Sequence, residues 1–255
     1  MIIWDTINAE AKNHLDNEPN LENYFQKVIF TQENLVCSIA EMLSSKLNSD
    51  FFSGSDLKKL IIEALLAKPL TQKQLENDLV FFMKQDPACN HYSTPLLFYK
   101  GFLGLASYRA ANALWVNNKT ASALFLQNRA SEIFGVDIHP AAQIEGGVMI
   151  DHASGVVIGE TASIKKNVSI YQGVTLGGRG NDSGKRHPTI LEGATIYASS
   201  TILGNILIGK NSIIAAGSLV LKNVQDNETV AGIPARRVKN LTQDKTEWDP
   251  GNSSL

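Results

Sequence analysis

Five histidines stand in this chain, and two of them occupy positions where a base is most useful. His152 follows Asp151, and His187 follows Arg186. Both lie at breaks in a pattern that otherwise repeats. An imidazole titrates near neutral pH, so it suits the removal of a proton from a hydroxyl that is a poor nucleophile by itself. A carboxylate beside it orients the ring or holds a cation, and an arginine grips a carboxylate through two parallel donors. Asp86, Asp137, Asp151 and Arg186 supply those groups. Taken singly they are weak signals. Asp86-Pro87 also reads as a helix stop, Asp137 as a turn residue, and Asp-His is a common dipeptide. His139, beside Pro140, reads as structural. Three histidines in one half also raise a zinc site, but the close H-x-x-x-x-H pair is missing, and no metal site is expected.

The pattern that these residues interrupt is a period of six. Aliphatic residues fall at Ile138, Ile144 and Ile150, then from Ile158 to Leu176, then from Ile190 to Val220. A small or β-branched residue often follows four places on, as at Ala142, Val148, Ser154, Ala162, Val168 and Val174. Helices bury a period of 3.6 and flat strands a period of 2, so a sustained six marks a parallel β-helix built of hexapeptides. Stacked coils bury what one coil cannot. The period slips by two residues between Ile150 and Ile158, where His152 sits. It breaks again at the insert G-G-R-G-N-D-S-G-K-R-H-P, which ends on Arg186 and His187. The insert is no Walker loop, because no G-x-x-x-x-G-K-[ST] string is present. Asp137 precedes Ile138, so its side chain is expected to point off the core.

Residues 1–135 read as helices. Thr31 is expected to cap a helix with Val36, Ile39, Leu43 and Leu47 inward. Leu57, Leu60, Ile61, Ala64 and Leu65 form a second helical face that Pro69 ends. Thr71 and Gln74 have capping-box spacing before Leu75, Leu79, Phe82 and Met83, and Asp86-Pro87 stops that run. Thr94-Pro95 is expected to open a helix to about Trp115, and a last one runs from Thr120 to Phe134, ended by Gly135. The expected division is a helical domain at 1–135, a β-helix at 136–239 and a mobile polar tail at 240–255.

Composition narrows the classes further. A formal net charge of −2 and a charged fraction of 19% give no basic patch for nucleic acid or an anionic membrane. No apolar run approaches the ~20 residues of a membrane span, and the start lacks a signal-peptide pattern. Two cysteines make no disulfide framework, so a cytoplasmic, reduced protein is expected. Cys37 reads as core and the role of Cys89 is open.

V-D-I-H-P-A-A at 136–142, D-H-A-S-G-V-V-I-G-E-T-A at 151–162, Q-G-V-T-L-G-G at 172–178, R-H-P at 186–188 and A-G-I-P-A-R at 231–236 resemble bacterial serine O-acetyltransferase. So does D-P-A-C-N-H-Y-S-T-P-L-L at 86–97, which matches that family's helical domain. The resemblance covers roughly residues 1–240. It implies an α+β fold, an all-helical N-terminal domain followed by a left-handed parallel β-helix. It implies trimers built around the β-helices, commonly paired into hexamers, with the active site between neighbours. The implied reaction moves acetyl from acetyl-CoA to the hydroxyl of L-serine, opening cysteine biosynthesis, with L-cysteine as feedback inhibitor and no cofactor beyond the acetyl-CoA cosubstrate.

The residues take roles in that chemistry. His152 is assigned as base, oriented by Asp137. Asp86 and Asp151 suit the serine ammonium, and Arg186 its carboxylate. His187 hydrogen-bonds the hydroxyl or the thioester side. The backbone N–H near Gly178 is a candidate donor to the oxyanion, and acetyl-CoA is expected to pass Gly178, Ala198 and Ala216. Two other readings remain: a hexapeptide acyltransferase with a different acceptor, and a silent scaffold regulating a partner enzyme. The chain ends in Leu255 where many relatives end in isoleucine, and docking of that tail with O-acetylserine sulfhydrylase is an expectation.

Overall fold

Three hexapeptides make one coil, so positions 18 residues apart should stack, and they do. Ile158 pairs with Leu176, and Ile202 with Val220, in parallel register. The computed structural model describes residues 2–180 and 183–238; the expected tail with Leu255 lies outside them. Three sheets form the sides of a triangular β-helix. The first contains Val136–Ile138 (β1), Val156–Ile158 (β4), Thr175–Gly177 (β7), Thr201–Leu203 (β10) and Leu219–Val220 (β13). The second contains Gln143–Ile144 (β2), Ser163–Ile164 (β5), Thr189–Ile190 (β8) and Leu207–Ile208 (β11). The third contains Val148–Ile150 (β3), Val168–Ile170 (β6), Thr195–Ile196 (β9), Ile213–Ile214 (β12) and Thr229–Ala231 (β14), closed by the antiparallel Arg236–Arg237 (β15).

The aliphatic residues of the six-residue period form three ladders up the inside. One runs Ile138, Ile158, Leu176, Ile202, Val220. The others run Ile144, Ile164, Ile190, Ile208, and Ile150, Ile170, Ile196, Ile214. All are buried. Each such side chain contributes about 1.5–3 kcal/mol on leaving water, which a lone coil would forgo. Ser154 departs from the expectation: it is exposed, and the two-residue slip gives its inward place to Val156.

Eight α-helices precede the coils among the described residues: Ile2–Asn17 (α1), Glu22–Phe25 (α2), Leu35–Leu47 (α3), Gly54–Leu66 (α4), Pro69–Gln85 (α5), Ser93–Phe98 (α6), Lys100–Val116 (α7) and Thr120–Phe134 (α8). Several boundaries differ from the sequence reading. Asn34, not Thr31, caps α3, its side chain accepting from the Cys37 N–H at 3.0 Å. Thr31 instead donates to the Gln26 carbonyl and closes the preceding turn. Helix α4 ends at Leu66, ahead of Pro69 as expected, but Pro69 also starts α5, which puts Thr71 inside that helix and buried rather than at its cap. Gln74 therefore reaches outward and donates to the Ile144 carbonyl. The expected single helix from Thr94 begins one residue earlier and breaks at Tyr99, whose ψ of 108° is extended. Helix α8 has the expected bounds, with Gly135 left-handed at φ 68°.

Helix α7 lies against the first coil. A methyl group on Gly101 would sit 1.8 Å from the Ile150 carbonyl oxygen, so only glycine allows that approach. The Tyr108 hydroxyl donates to the Ala142 carbonyl. Arg109 binds Asp78 of α5 through Nε and Nη2, at 2.6 and 2.9 Å. Asp78 also accepts from the Gly147 and Val148 N–H groups, and Arg109 reaches the Ile144 and Glu145 carbonyls. Both partners are buried, and these bonds satisfy the pair while fixing the helices to the coil. No described helix is long and apolar enough to cross a membrane.

Candidate active site

The turn between β3 and β4 carries the first group of candidates. His152 and Ala153 both have positive φ, 55° and 61°, a conformation that side chains other than glycine adopt at a cost of order 1 kcal/mol or more. Tight backbone bonds hold it, from the Ala153 N–H to the Asp151 carbonyl and from the Ser154 N–H to the His152 carbonyl. Ala153 is fully buried, and Lys100, at the start of α7, donates to the Ser154 hydroxyl. The result is a histidine whose side chain is 70% exposed on a hydrogen-bonded left-handed turn.

Asp151 accepts from the His152 N–H, and its other oxygen lies 3.5 Å from His152 Nε2. Asp86 arrives from the end of α5, where its side chain accepts from the Ala88 N–H. Asp86, Asp151, His152, Tyr99 and Lys100 line one cleft of about 530 Å3. The Tyr99 hydroxyl, hydrogen-bonded to Asp86, is pushed up to about 12 by burial and by that carboxylate's charge. Beneath the Asp86 turn, Cys89 is buried against Met83 and the His91 carbonyl. Burial, helped by Asp86, pushes its thiol up to about 11, so it stays protonated at neutral pH.

Arg186 and His187 form a second group, where the insert rejoins the coils before β8. His187 is 7% exposed. Its Nδ1 accepts from the Thr161 N–H at 3.2 Å and lies 2.8 Å from the Thr161 hydroxyl. Its Nε2 lies over Gly159, where a methyl group would stand 1.9 Å away, and near Gly178, where one would stand 3.2 Å away. Glycine at 159 is thus a condition for the ring's pose. Arg186 pairs with Glu160, which holds the Glu160 carboxyl below its usual range. Burial first, then the Arg186 and Lys185 charges, hold His187 below its ordinary 6.5. Burial does the same to His139, whose Nδ1 accepts from the Ala141 N–H and whose ring packs edge-on to Trp115.

Those two depressed imidazoles predict a pH dependence. The unfolded chain, with ordinary histidines, binds more protons than the folded one between the depressed values and 6.5, so stability rises with pH through that window. Acidification from about pH 7 to about pH 5.5 should lower the thermal midpoint. A midpoint that rose over this range would contradict the assignment of both rings as neutral.

Within one chain the two groups do not meet. His152 occupies the corner between the third and first sheets, and His187 the corner between the first and second. A three-residue strand of the first sheet lies between those corners, roughly 10 Å. Asp137 is the central residue of β1, the edge strand of that sheet, where Gln127 of α8 donates to it at 2.7 Å; among the described residues no hydrogen bond or ion pair joins it to His152. Ala198 and Ala216 stack one coil apart on the His152 corner, following the paired Ile196 and Ile214. Gly178 lies on the opposite corner, beside His187. Sequence reasoning missed Tyr99, Lys100, Glu160 and Thr161. Nothing in their local sequence distinguishes them, because their partners are distant in the chain. Among the described residues no group of three or more His, Cys, Asp or Glu side chains could hold a metal ion.

Residues 3–107 match the family described as "Serine acetyltransferase, N-terminal". A serine acetyltransferase of Escherichia coli K12 is 44% identical over 248 residues, which cover 97% of this chain and 91% of that protein. The serine acetyltransferase of Neisseria gonorrhoeae, solved in complex with serine, has a TM-score of 0.89 at 43% identity, covering 92% of this chain and 96% of that one. The Brucella abortus S19 enzyme, solved with coenzyme A, has a TM-score of 0.91 at 41% identity, covering 93% and 95%. A further serine acetyltransferase in complex with cysteine has a TM-score of 0.91 at 44% identity, covering 96% and 94%.

Proposed function

The chain belongs to the serine acetyltransferase family, and from that premise we propose which residues carry the reaction and how two copies complete the site. The enzyme transfers the acetyl group of acetyl-CoA to the hydroxyl of L-serine, giving O-acetyl-L-serine and CoA, in cysteine biosynthesis. His152 takes the hydroxyl proton as the serine oxygen bonds to the acetyl carbonyl carbon. As the tetrahedral intermediate collapses, the carbon–sulfur bond breaks and the proton passes to the departing thiolate. Asp86 and Asp151 hold the serine ammonium, and Arg186, steadied by Glu160, grips its carboxylate. His187 donates from Nε2 to the reacting oxygens, and the N–H near Gly178 faces the developing oxyanion.

The observation that carries this reading is the convergence of Asp86, Asp151 and His152 in one cleft, from segments far apart in sequence. Arg186 and His187 stand across the first sheet from that cleft, and Asp137 stands on that sheet's β1 strand. We therefore assign them to a neighbouring copy's site, in a trimer packed through the β-helices. In this arrangement Asp137 of one copy orients His152 of the next, and acetyl-CoA lies between them past Gly178, Ala198 and Ala216. L-Cysteine offers the same ammonium and carboxylate as serine and would occupy the same contacts.

Arg186→Ala tests the carboxylate assignment. Loss of a charge-assisted, two-pronged hydrogen bond worth about 1.5–3 kcal/mol raises the serine KM by about 10–100-fold. The acetyl-CoA KM should stay nearly constant. Steady-state kinetics with each substrate varied would refute the assignment if the acetyl-CoA KM rose and the serine KM did not.

A further inference from the structure

We propose that Thr161 is a positioning residue that fixes His187 as a hydrogen-bond donor through Nε2. The inference rests on the role given to His187 above and names what sets that role. The Thr161 hydroxyl oxygen accepts from the Arg186 N–H at 3.0 Å and from the His187 N–H at 3.1 Å. A hydroxyl has two lone pairs and one hydrogen, so both acceptor sites are filled. Its remaining hydrogen points to His187 Nδ1, 2.8 Å away, where the Thr161 N–H also donates. Nδ1 thus receives two donors and has no acceptor facing it. A neutral imidazole with Nδ1 bare carries its hydrogen on Nε2.

Nε2 itself makes no hydrogen bond among the described residues and lies against Gly159 and Gly178. It is the ring atom left free to donate to a reacting oxygen. One side chain therefore sets the tautomer and anchors the backbone of both Arg186 and His187. Lys185 completes the clamp by donating to the Thr161 and Pro188 carbonyls, which ties the end of the insert to the second coil. The burial that keeps this ring uncharged near neutral pH maintains the same pattern.

The test combines kinetics with 15N spectra of histidine-labelled full-length enzyme. In the wild type, the His187 ring should show a bare Nδ1 and a protonated Nε2. Thr161→Val keeps the volume and removes the hydroxyl. It should lower kcat by about 10–100-fold, no more than the low end of the ~10²–10⁴ that a well-placed proton-handling group supplies. The serine KM should change less than kcat, and the His187 titration followed in the 15N spectra should move upward as Nδ1 loses a donor. Thr161→Ser, which keeps the hydroxyl, should restore kcat to within a few-fold. A wild-type ring protonated at Nδ1 overturns the proposal, and needs no variant to fold. So does a Thr161→Val enzyme with unchanged His187 signals and wild-type kcat. A fully active His187→Ala would overturn the underlying role of His187, whatever the ring's tautomer.

Discussion

His152→Ala should lower turnover with L-serine and acetyl-CoA by about 10²–10⁴-fold, the range of general-base catalysis. The fold should survive, because the side chain is 70% exposed and its one ion-pair partner is the adjacent Asp151. The left-handed backbone at 152 complicates alanine, which dislikes φ of 55° more than asparagine does. His152→Asn is therefore the cleaner variant and should show the same loss at a higher melting temperature. Asp137→Asn should cost less, since it misorients a base without removing it. Rates within a few-fold of wild type for both His152 variants would end the assignment.

The largest stability effect falls at the buried pair that fixes the helices to the first coil. Asp78→Ala leaves the Arg109 guanidinium, 3% exposed, without a counter-charge and strips the Gly147 and Val148 N–H groups of their acceptor. Breaking one side of such a pair costs about 3–5 kcal/mol. Replacing both partners, as in Asp78→Leu with Arg109→Met, should recover much of that loss, because the uncompensated charge goes too. Urea denaturation of the three variants would measure it. A loss under about 1 kcal/mol for Asp78→Ala would mean that water reaches the site and the pair is not structural.

The coils were legible because every inward position of the six-residue period is aliphatic, from Ile138 to Val220, and stacking leaves no alternative face. Helix interiors were legible for the same reason, as Leu57, Ile61 and Leu65 show. Helix starts were harder. Thr31 and Asn34 both precede an apolar run, and only the backbone decides which one accepts the free N–H. The break at Tyr99 had no breaker residue to announce it; it follows from α7 turning to lie on Ile150 through Gly101. At the site, Asp86, Asp151 and His152 could be named from residue type and motif, and they do share a cleft. Glu160 and Thr161 could not, because an acid or a threonine beside a glycine carries no mark until Arg186 and His187 fold back onto it. Nor does the sequence show that one chain holds His152 and His187 on different corners.

That separation yields the most direct test of the two-copy site. Co-expression of His152→Ala chains with His187→Ala chains, each inactive alone, would place an intact His152 and an intact His187 at some interfaces. With random mixing in a symmetric ring, about one quarter of the interfaces are intact, so activity should return to about a quarter of wild type. Hetero-oligomers that form, as shown by mass spectrometry, yet stay as inactive as the parents would contradict a site shared between copies.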